Sequence, residues 1–189
     1  MSLGHDRDIR EARGTWSEIE IVKSDGNRCL VAIGRGRNGN IVVQIEGKEL
    51  GERIQDISRP YTVYVPGLAG IARQETFLGQ GVVRRVVARG DANLVLRTVL
   101  YWLFQRERDW EQFQNDMREL FPELSLRVSF TDITDEHIRV TFATGAGIRE
   151  LPLESAGTGI LQATQVLAYA ALFHPQLLLL DEPDAHPGV

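Results

Sequence analysis

Apolar residues in the first third of the chain are spaced as they are in β-strands. Around Trp16 they recur among polar residues, which is typical of a strand with one buried face. Short apolar runs separated by glycine-containing and charged segments follow along the chain. The segments predicted to be strands are 16–22, 29–33, 41–45 and 61–65.

The middle of the chain changes to helical spacing. Apolar positions recur every three or four residues between Leu94 and Leu103, and Asp91 stands where it could cap that helix. A second helix is predicted from about Asp109 to Phe121, with aromatic residues on one face that we expect to pack in the core. Strands return at 124–130 and 137–142.

The last 40 residues predict a helix followed by a strand. Residues 160–173 have helical spacing, and Ser155 is a good N-cap for this helix. Gly157 and Gly159 leave backbone amides open to a close anion. The four leucines at 177–180 predict a strand that is buried on both faces of a parallel sheet. The predicted fold class is α/β, with some α+β elements.

A glycine-rich joint at residues 34–39 matches the dinucleotide-binding pattern G-x-G-x-x-G. That pattern requires a helix after it, because pyrophosphate sits on the amides of a helix N-terminus. The residues that follow, 40–45, are rich in β-branched side chains, which favour a strand. We therefore interpret the joint as a hairpin loop.

Composition and charge exclude several classes of protein. The 189 residues are 43% hydrophobic and 25% charged, as in a folded domain or slightly more than one. No apolar run approaches the roughly 20 residues that span a bilayer, so we expect no membrane insertion and a cytoplasmic location. Cys29 is the one cysteine, which excludes an intrachain disulfide, and we expect it to be a buried strand thiol.

The net charge of −5 argues against a protein that is basic overall and binds nucleic acid. A local basic patch remains an alternative, since five arginines could share a surface. A solvated face is the favoured interpretation, because no aromatic residues interleave with them. The five are Arg35, Arg37, Arg84, Arg85 and Arg89.

Two adjacent carboxylates, Asp181 and Glu182, directly follow the predicted strand at 177–180. The carboxyl ends of such strands are where open α/β sheets bind ligands. Neighbouring carboxylates repel each other unless a cation or a proton shares their site. A magnesium nucleotide would supply that cation, with one carboxylate ordering the metal shell and the next polarising the attacking water.

These motifs together resemble a known family. The order Ser-Ala-Gly-Thr-Gly at 155–159, a helix, and Leu-Leu-Leu-Leu-Asp-Glu-Pro-Asp-Ala-His at 177–186 is similar to the signature motif, Walker B strand and D-loop of ABC-type ATPases. The most similar branch comprises the SMC-, RecF- and OLD-like proteins. Residues 61–75 also resemble a segment that follows the first lobe in predicted ATPases of this branch. The resemblance implies a partial P-loop NTPase fold with a mixed sheet and a helical subdomain.

The resemblance also implies roles for individual residues. Asp181 would hold the Mg²⁺ shell through water, and Glu182 would be the general base that activates water. Ser155 and the amides at Gly157 and Gly159 would contact the γ-phosphate of ATP bound to a partner subunit. Two further positions have implied roles: Asp184 in the D-loop that crosses the dimer interface, and Gln74 as a candidate for the Q-loop.

The sequence departs from the family pattern in one main respect. No G-x-x-x-x-G-K-[ST] motif occurs, because Gly47-Lys48 is followed by Glu49, and Val42 stands where the first glycine is required. In addition, His186 directly precedes a proline, without the usual two intervening residues. We therefore expect this chain to be the portion of a larger ATPase that lacks the P-loop, and to be inactive alone. Because the strand that carries the P-loop would then be missing as well, we expect the strand at 177–180 to be an open edge, displaced, or paired with another copy.

The expected organisation has four parts. Residues 1–14 are leader residues or were added in cloning, 15–70 form the β-rich part of the ATPase core, 71–152 form a helical subdomain with strands, and 153–189 carry the signature helix and the Walker B strand. The complete protein would be a homodimer that sandwiches ATP between its heads and acts on DNA or another macromolecule.

Two alternatives remain from the sequence. The chain could be a non-catalytic dimerisation or regulatory module derived from such an ATPase. A metal-dependent hydrolase built on Asp181 and Glu182 is the other, and it requires further ligands that the sequence does not place. The macromolecular substrate also stays open.

Overall fold

A computed structural model describes residues 16–36, 38–67, 73–145 and 149–181 of the chain. The described residues form a mixed α/β structure, as the fold class predicted. Their strands lie in three small sheets rather than in one mixed sheet. The chain divides into two compact units, residues 1–56 and 57–189.

The first unit is an antiparallel sheet with a short helix. Strands β1 (Ser17–Val22), β2 (Arg28–Arg35) and β3 (Ile41–Glu46) pair in that order. Helix α1 (Lys48–Gln55) follows β3 and brings Gly51 close to Cys29 and Ile45. Cys29 is buried, and its burial raises the pKa of the thiol, so this residue is a packed strand thiol as predicted.

The glycine-rich joint is a hairpin loop between β2 and β3, which confirms the interpretation from the sequence. Gly36 donates its N–H to the carbonyl of Asn40 at 2.8 Å, and Gly39 donates to the carbonyl of Gly36 at 3.0 Å. Gly39 has φ of +75°, a conformation that only glycine adopts without strain. Antiparallel pairing leaves no helix N-terminus here to receive a pyrophosphate.

The second unit contains the remaining elements. Its helices are α2 (Gln80–Ala88), α3 (Leu96–Phe104), α4 (Glu107–Leu120) and α5 (Thr158–Phe173), with 3-10 turns at Ala92–Val95 and Leu153–Ser155. An antiparallel sheet contains β5 (Leu124–Ser129), β6 (Arg139–Thr144) and the two-residue β7 (Leu151–Pro152). A separate parallel pair joins β4 (Thr62–Val65) to β8 (Leu177–Leu180).

The core of the second unit is formed by residues of each of these helices and of β4, β5 and β6. Phe113 and Met117 of α4 are completely buried, one turn apart, and Trp110 packs at the edge of the same cluster. This confirms that the aromatic stripe of α4 serves packing. Trp102 also packs against the core and donates its Nε1–H to the carbonyl of Leu78 at 3.1 Å.

Three details differ from the sequence-based expectations. Asp91 precedes the 3-10 turn, but its side chain makes no capping hydrogen bond. Helices α1 and α2 were not predicted, because α1 buries only Leu50 and Gly51 and α2 is rich in valine. Strand β8 pairs in parallel with β4 and with no other described strand, so it is an open edge as expected; it is not, however, buried on both faces, because Leu177, Leu179 and Leu180 are 37%, 45% and 43% exposed.

Candidate functional site

The segment from 153 to 159, here called the signature-like segment, is a 3-10 turn leading into α5. Ser155 lies in this turn and donates its hydroxyl to the carbonyl of Pro152 at 2.6 Å. The N-cap of α5 is Gly157, and no side chain caps the helix. The expectation that Ser155 caps α5 is therefore wrong, because the turn places it two residues before the cap and directs its hydroxyl backwards.

The beginning of α5 is open around its glycines. Gly157 and Gly159 are both exposed, and a Cβ atom added to either would meet no heavy atom of the described residues within 4 Å. The first amides of a helix have no intrahelical acceptor, and the helix dipole favours an anion at this end. Among the described residues, none fills the space beside these two glycines.

Asp181 stands at the carboxyl end of β8, beside the end of β4. Its amide donates to the carbonyl of Val65 at 3.1 Å, which extends the parallel ladder by one residue. Its Oδ2 atom accepts a hydrogen bond of 2.8 Å from the hydroxyl of Tyr64. Tyr64 is paired with Leu179, two residues before Asp181, so both side chains lie on one face of the strand pair. This hydrogen bond orients an exposed carboxylate.

The structure does not join the predicted site residues into one cluster. Among the described residues, no hydrogen bond or ion pair connects the signature-like segment to Asp181. Glu182, Asp184 and His186 lie outside the described residues.

A network of buried charged groups includes Glu154 of the signature-like segment, and sequence patterns did not reveal this network. Arg97 is only 2% exposed, and its Nη2 atom contacts Oε2 of Glu154 at 2.8 Å. The carboxylate of Glu75, 6% exposed, accepts the backbone N–H groups of Arg97 at 2.8 Å and Thr98 at 2.7 Å. Glu75 therefore caps the first turn of α3 from outside the helix.

The electrostatics of this network follow from its burial. Desolvation raises the pKa of Glu75, and the amides of Thr98 and Arg97 together with the Arg97 guanidinium oppose that rise. Tyr169 of α5 donates its hydroxyl to the carbonyl of Ala92. Burial, with a contribution from the charge of Glu75, raises the pKa of Tyr169 well above its usual value, so this residue stays a neutral donor.

Sequence reasoning could have noticed one signal of this network. Arg97 is charged, whereas the other buried positions of α3 are uncharged, and a buried arginine requires a partner. The partner itself was not predictable, because Glu154 is 57 residues away along the chain. Gln74, the Q-loop candidate, lines a cavity of about 220 Å³ together with Arg97 and Glu154.

Three of the five arginines of the possible basic patch lie together in the second unit. Arg84, Arg85 and Arg89 belong to α2 and its C-cap, where Arg85 and Arg89 are exposed and four residues apart. Arg35 belongs to β2 in the other unit, and Arg37 lies outside the described residues.

Neither a metal cage nor a membrane span occurs in the described part of the chain. No group of three or more His, Cys, Asp and Glu side chains comes together there. The metal-hydrolase alternative therefore gains no support from these residues. None of the described helices combines the length and the apolar character needed to cross a bilayer.

Comparison with known proteins leaves the family resemblance as an inference from motifs. No protein-family model matches the chain, and no curated protein sequence matches it.

Proposed function

We propose that this chain is part of a cytoplasmic, ATP-binding and ATP-hydrolysing protein of the ABC/SMC-like kind, with a P-loop NTPase fold. Its complete form would dimerise with ATP between two heads and act on DNA or another macromolecular complex. The P-loop would be supplied by sequence outside these 189 residues.

The position of Asp181 is the observation that carries this proposal. An exposed carboxylate at the carboxyl end of a parallel strand lies where α/β proteins bind ligands. Two hydrogen bonds hold Asp181 there: its backbone N–H donates to the carbonyl of Val65, and the hydroxyl of Tyr64 donates to its carboxylate. Such fixing suits a residue that orders a metal hydration shell, because a hydrogen-bonded carboxylate keeps its orientation.

The open start of α5 gives independent support. A γ-phosphate held by another subunit would have to approach the backbone closely, and any Cβ at Gly157 or Gly159 would lie in that space. The exposed amides of the first turn would receive its charge. The Ser155 hydroxyl is within the same turn and could rotate from the Pro152 carbonyl towards an incoming oxygen.

The residues present fit Mg²⁺ and ATP in part. Asp181 offers the hard oxygen ligand that Mg²⁺ prefers, and the glycines leave open space where a Cβ atom would stand. When bound, Mg²⁺ neutralises charge that develops on the transferred phosphoryl group. Within this chain Asp181 would hold the ion's water shell, Tyr64 would orient Asp181, and Glu182 would accept the proton of the attacking water.

The test uses the complete gene product and measures ATP turnover and dimer size. Glu182→Gln should abolish turnover and leave an ATP-bound dimer, seen by light scattering, because only the base is lost. Ser155→Arg should retain ATP binding but prevent the ATP-dependent dimer, because a bulky side chain occupies the contact. Ser125→Arg, at an exposed serine of β5, is the matched control and should behave as wild type.

Mixed dimers test whether the signature-like segment acts across the interface. A mixture of Ser155→Arg protein with a P-loop lysine variant can place both lesions on one composite site and should recover about half the wild-type activity per dimer. Mixed dimers as inactive as either parent would exclude the trans role. A complete gene product that neither binds nor hydrolyses Mg²⁺-ATP would refute the proposal as a whole.

A second candidate function is a non-catalytic dimerisation or regulatory module. The exposed leucines of β8 favour it, because an exposed apolar edge strand readily pairs with another chain. A dimer that forms without ATP, and that Leu179→Lys dissociates, would support this candidate. An ATP-dependent dimer that Leu179→Lys leaves intact would reject it.

A further inference from the structure

We propose that the second unit has an anion site, separate from Asp181 and from the glycines proposed to contact ATP, that takes the phosphate group of a small molecule. It is the cavity of about 220 Å³ between the segment at 73–74, the start of β6 and the signature-like segment. The side chains that matter are Arg73, Gln74, Arg97, His137, Arg139 and Glu154.

The walls of this cavity are tied together by hydrogen bonds. Thr76 and His137 form an antiparallel bridge, and Ile138 donates its N–H to the carbonyl of Glu75 at 3.2 Å. The Glu75 carboxylate in turn holds the first turn of α3, which carries Arg97. Loop, strand and helix are therefore fixed relative to one another, and the charged residues on them are held around one space.

The charge of the lining favours an anion. Three guanidinium groups face one carboxylate, and that carboxylate, on Glu154, is already neutralised by Arg97 at 2.8 Å. Neither Arg73 nor Arg139 forms an ion pair with another described residue. Two positive charges remain, which match a phosphate dianion, and the planar guanidinium group binds phosphate oxygens in a bidentate manner.

His137 adds a polar atom that lacks a partner. Its Nδ1 atom is buried and has no hydrogen-bond partner among the described residues, while its Nε2 atom lies 4.0 Å from a carboxylate oxygen of Glu136. Buried polar atoms are nearly always paired in folded proteins, so an unpaired one on a cavity wall indicates a place where a ligand or water can bind.

The size of the cavity and the net charge of the protein favour a small molecule over nucleic acid. The space holds several waters, and so a phosphate with a few further atoms. A nucleic acid would need an extended basic surface, whereas this chain has a net charge of −5 that repels long polyanions.

The test is calorimetric titration of the 189-residue chain with pyrophosphate and with inorganic phosphate, at constant ionic strength. We expect saturable binding of pyrophosphate at one site. Arg73→Gln and Arg139→Gln should each weaken it by about tenfold or more, because each removes a charge-assisted contact. Both positions are exposed, so circular dichroism should show unchanged folding.

Two control variants test whether binding depends on the cavity itself. Arg127→Gln removes the same charge from an exposed position of the neighbouring strand β5, outside the cavity lining, and should change the affinity by less than about twofold. Asp181→Asn should leave pyrophosphate binding unchanged, because Asp181 belongs to the proposed ATPase residues. The two proposals can therefore fail independently.

Four results would overturn the proposal. The first is the absence of saturable binding at millimolar concentrations of both anions, and the second is equal weakening of binding by Arg127→Gln and Arg139→Gln. The third is loss of binding in Asp181→Asn. The fourth is displacement of pyrophosphate by a duplex oligonucleotide whose own binding is weakened by Arg73→Gln and Arg139→Gln. The last result would mean that the cavity is part of a surface that binds nucleic acid.

Discussion

Glu75 gives the sharpest test of the physical reasoning, because one buried carboxylate caps α3 from outside the helix. Its two oxygens accept the amides of Arg97 and Thr98 at 2.8 and 2.7 Å. In Glu75→Gln one oxygen becomes an NH₂ group, which cannot accept, so one buried N–H loses its acceptor. Such a loss costs about 1–3 kcal/mol, so we expect the free energy of unfolding at pH 7 to fall by about 2 kcal/mol.

The pH dependence of this difference has a definite sign. Burial raises the pKa of Glu75 above its ordinary value of 4.5, so the folded protein takes up the proton at a higher pH than the unfolded chain does. Protonation of Glu75 therefore adds stability as the pH falls through the raised pKa, and the gain is complete below the unfolded value. The Glu75→Gln variant has no carboxylate to protonate at this position, so it does not gain this stability. The stability difference between wild type and variant should grow as the pH falls from 7 towards 5.

Urea denaturation at pH 7 and pH 5, followed by circular dichroism, measures this difference. Glu119→Gln, at an exposed position of α4, is the matched control and should change stability by less than about 0.5 kcal/mol at either pH. A stability difference that shrinks as the pH falls would refute the reasoning. It would mean that the hydrogen bonds from the two amides, together with the charge of Arg97, lower the pKa of Glu75 more than burial raises it.

Two further substitutions test the fold. Phe113→Ala empties a completely buried position of α4 and should lower the free energy of unfolding by about 3–5 kcal/mol in urea denaturation; a loss below about 1 kcal/mol would contradict the described core. Gly39→Ala should cost about 1–2 kcal/mol because φ is +75° there, whereas Gly79→Ala, at φ of −63° with open space around it, should cost far less; equal losses would contradict the loop conformation.

Local patterns were sufficient for most elements. Each strand predicted from an apolar run is present within a few residues, and the helices predicted in the middle and near the end of the chain are present as well. The β-branched run after the glycine-rich joint was enough to distinguish a hairpin from a nucleotide-binding loop, because strand propensity and the requirement for a following helix are both local properties. The same holds for Cys29, whose apolar neighbours indicated burial.

Local patterns failed where the environment of an element decides its form. The helix α2 contains valine pairs that resemble a strand, and only Val83 and Val87, one turn apart, are buried. The hydroxyl of Ser155 was expected to cap α5, but a 3-10 turn uses it first. The leucines of β8 suggest a strand covered on both faces, whereas Leu177, Leu179 and Leu180 remain 37% to 45% exposed.

The candidate chemistry divides in the same way. The sequence alone placed Asp181 after a strand and glycines at the start of α5, because both positions depend on residues adjacent in the chain. Only the tertiary structure paired Asp181 with Tyr64, 117 residues away, and joined Arg97 to both Glu75 and Glu154. These contacts join residues that are 22 to 117 positions apart. A local pattern has no information on which distant carboxylate meets a buried arginine, because packing of the whole unit determines that pairing.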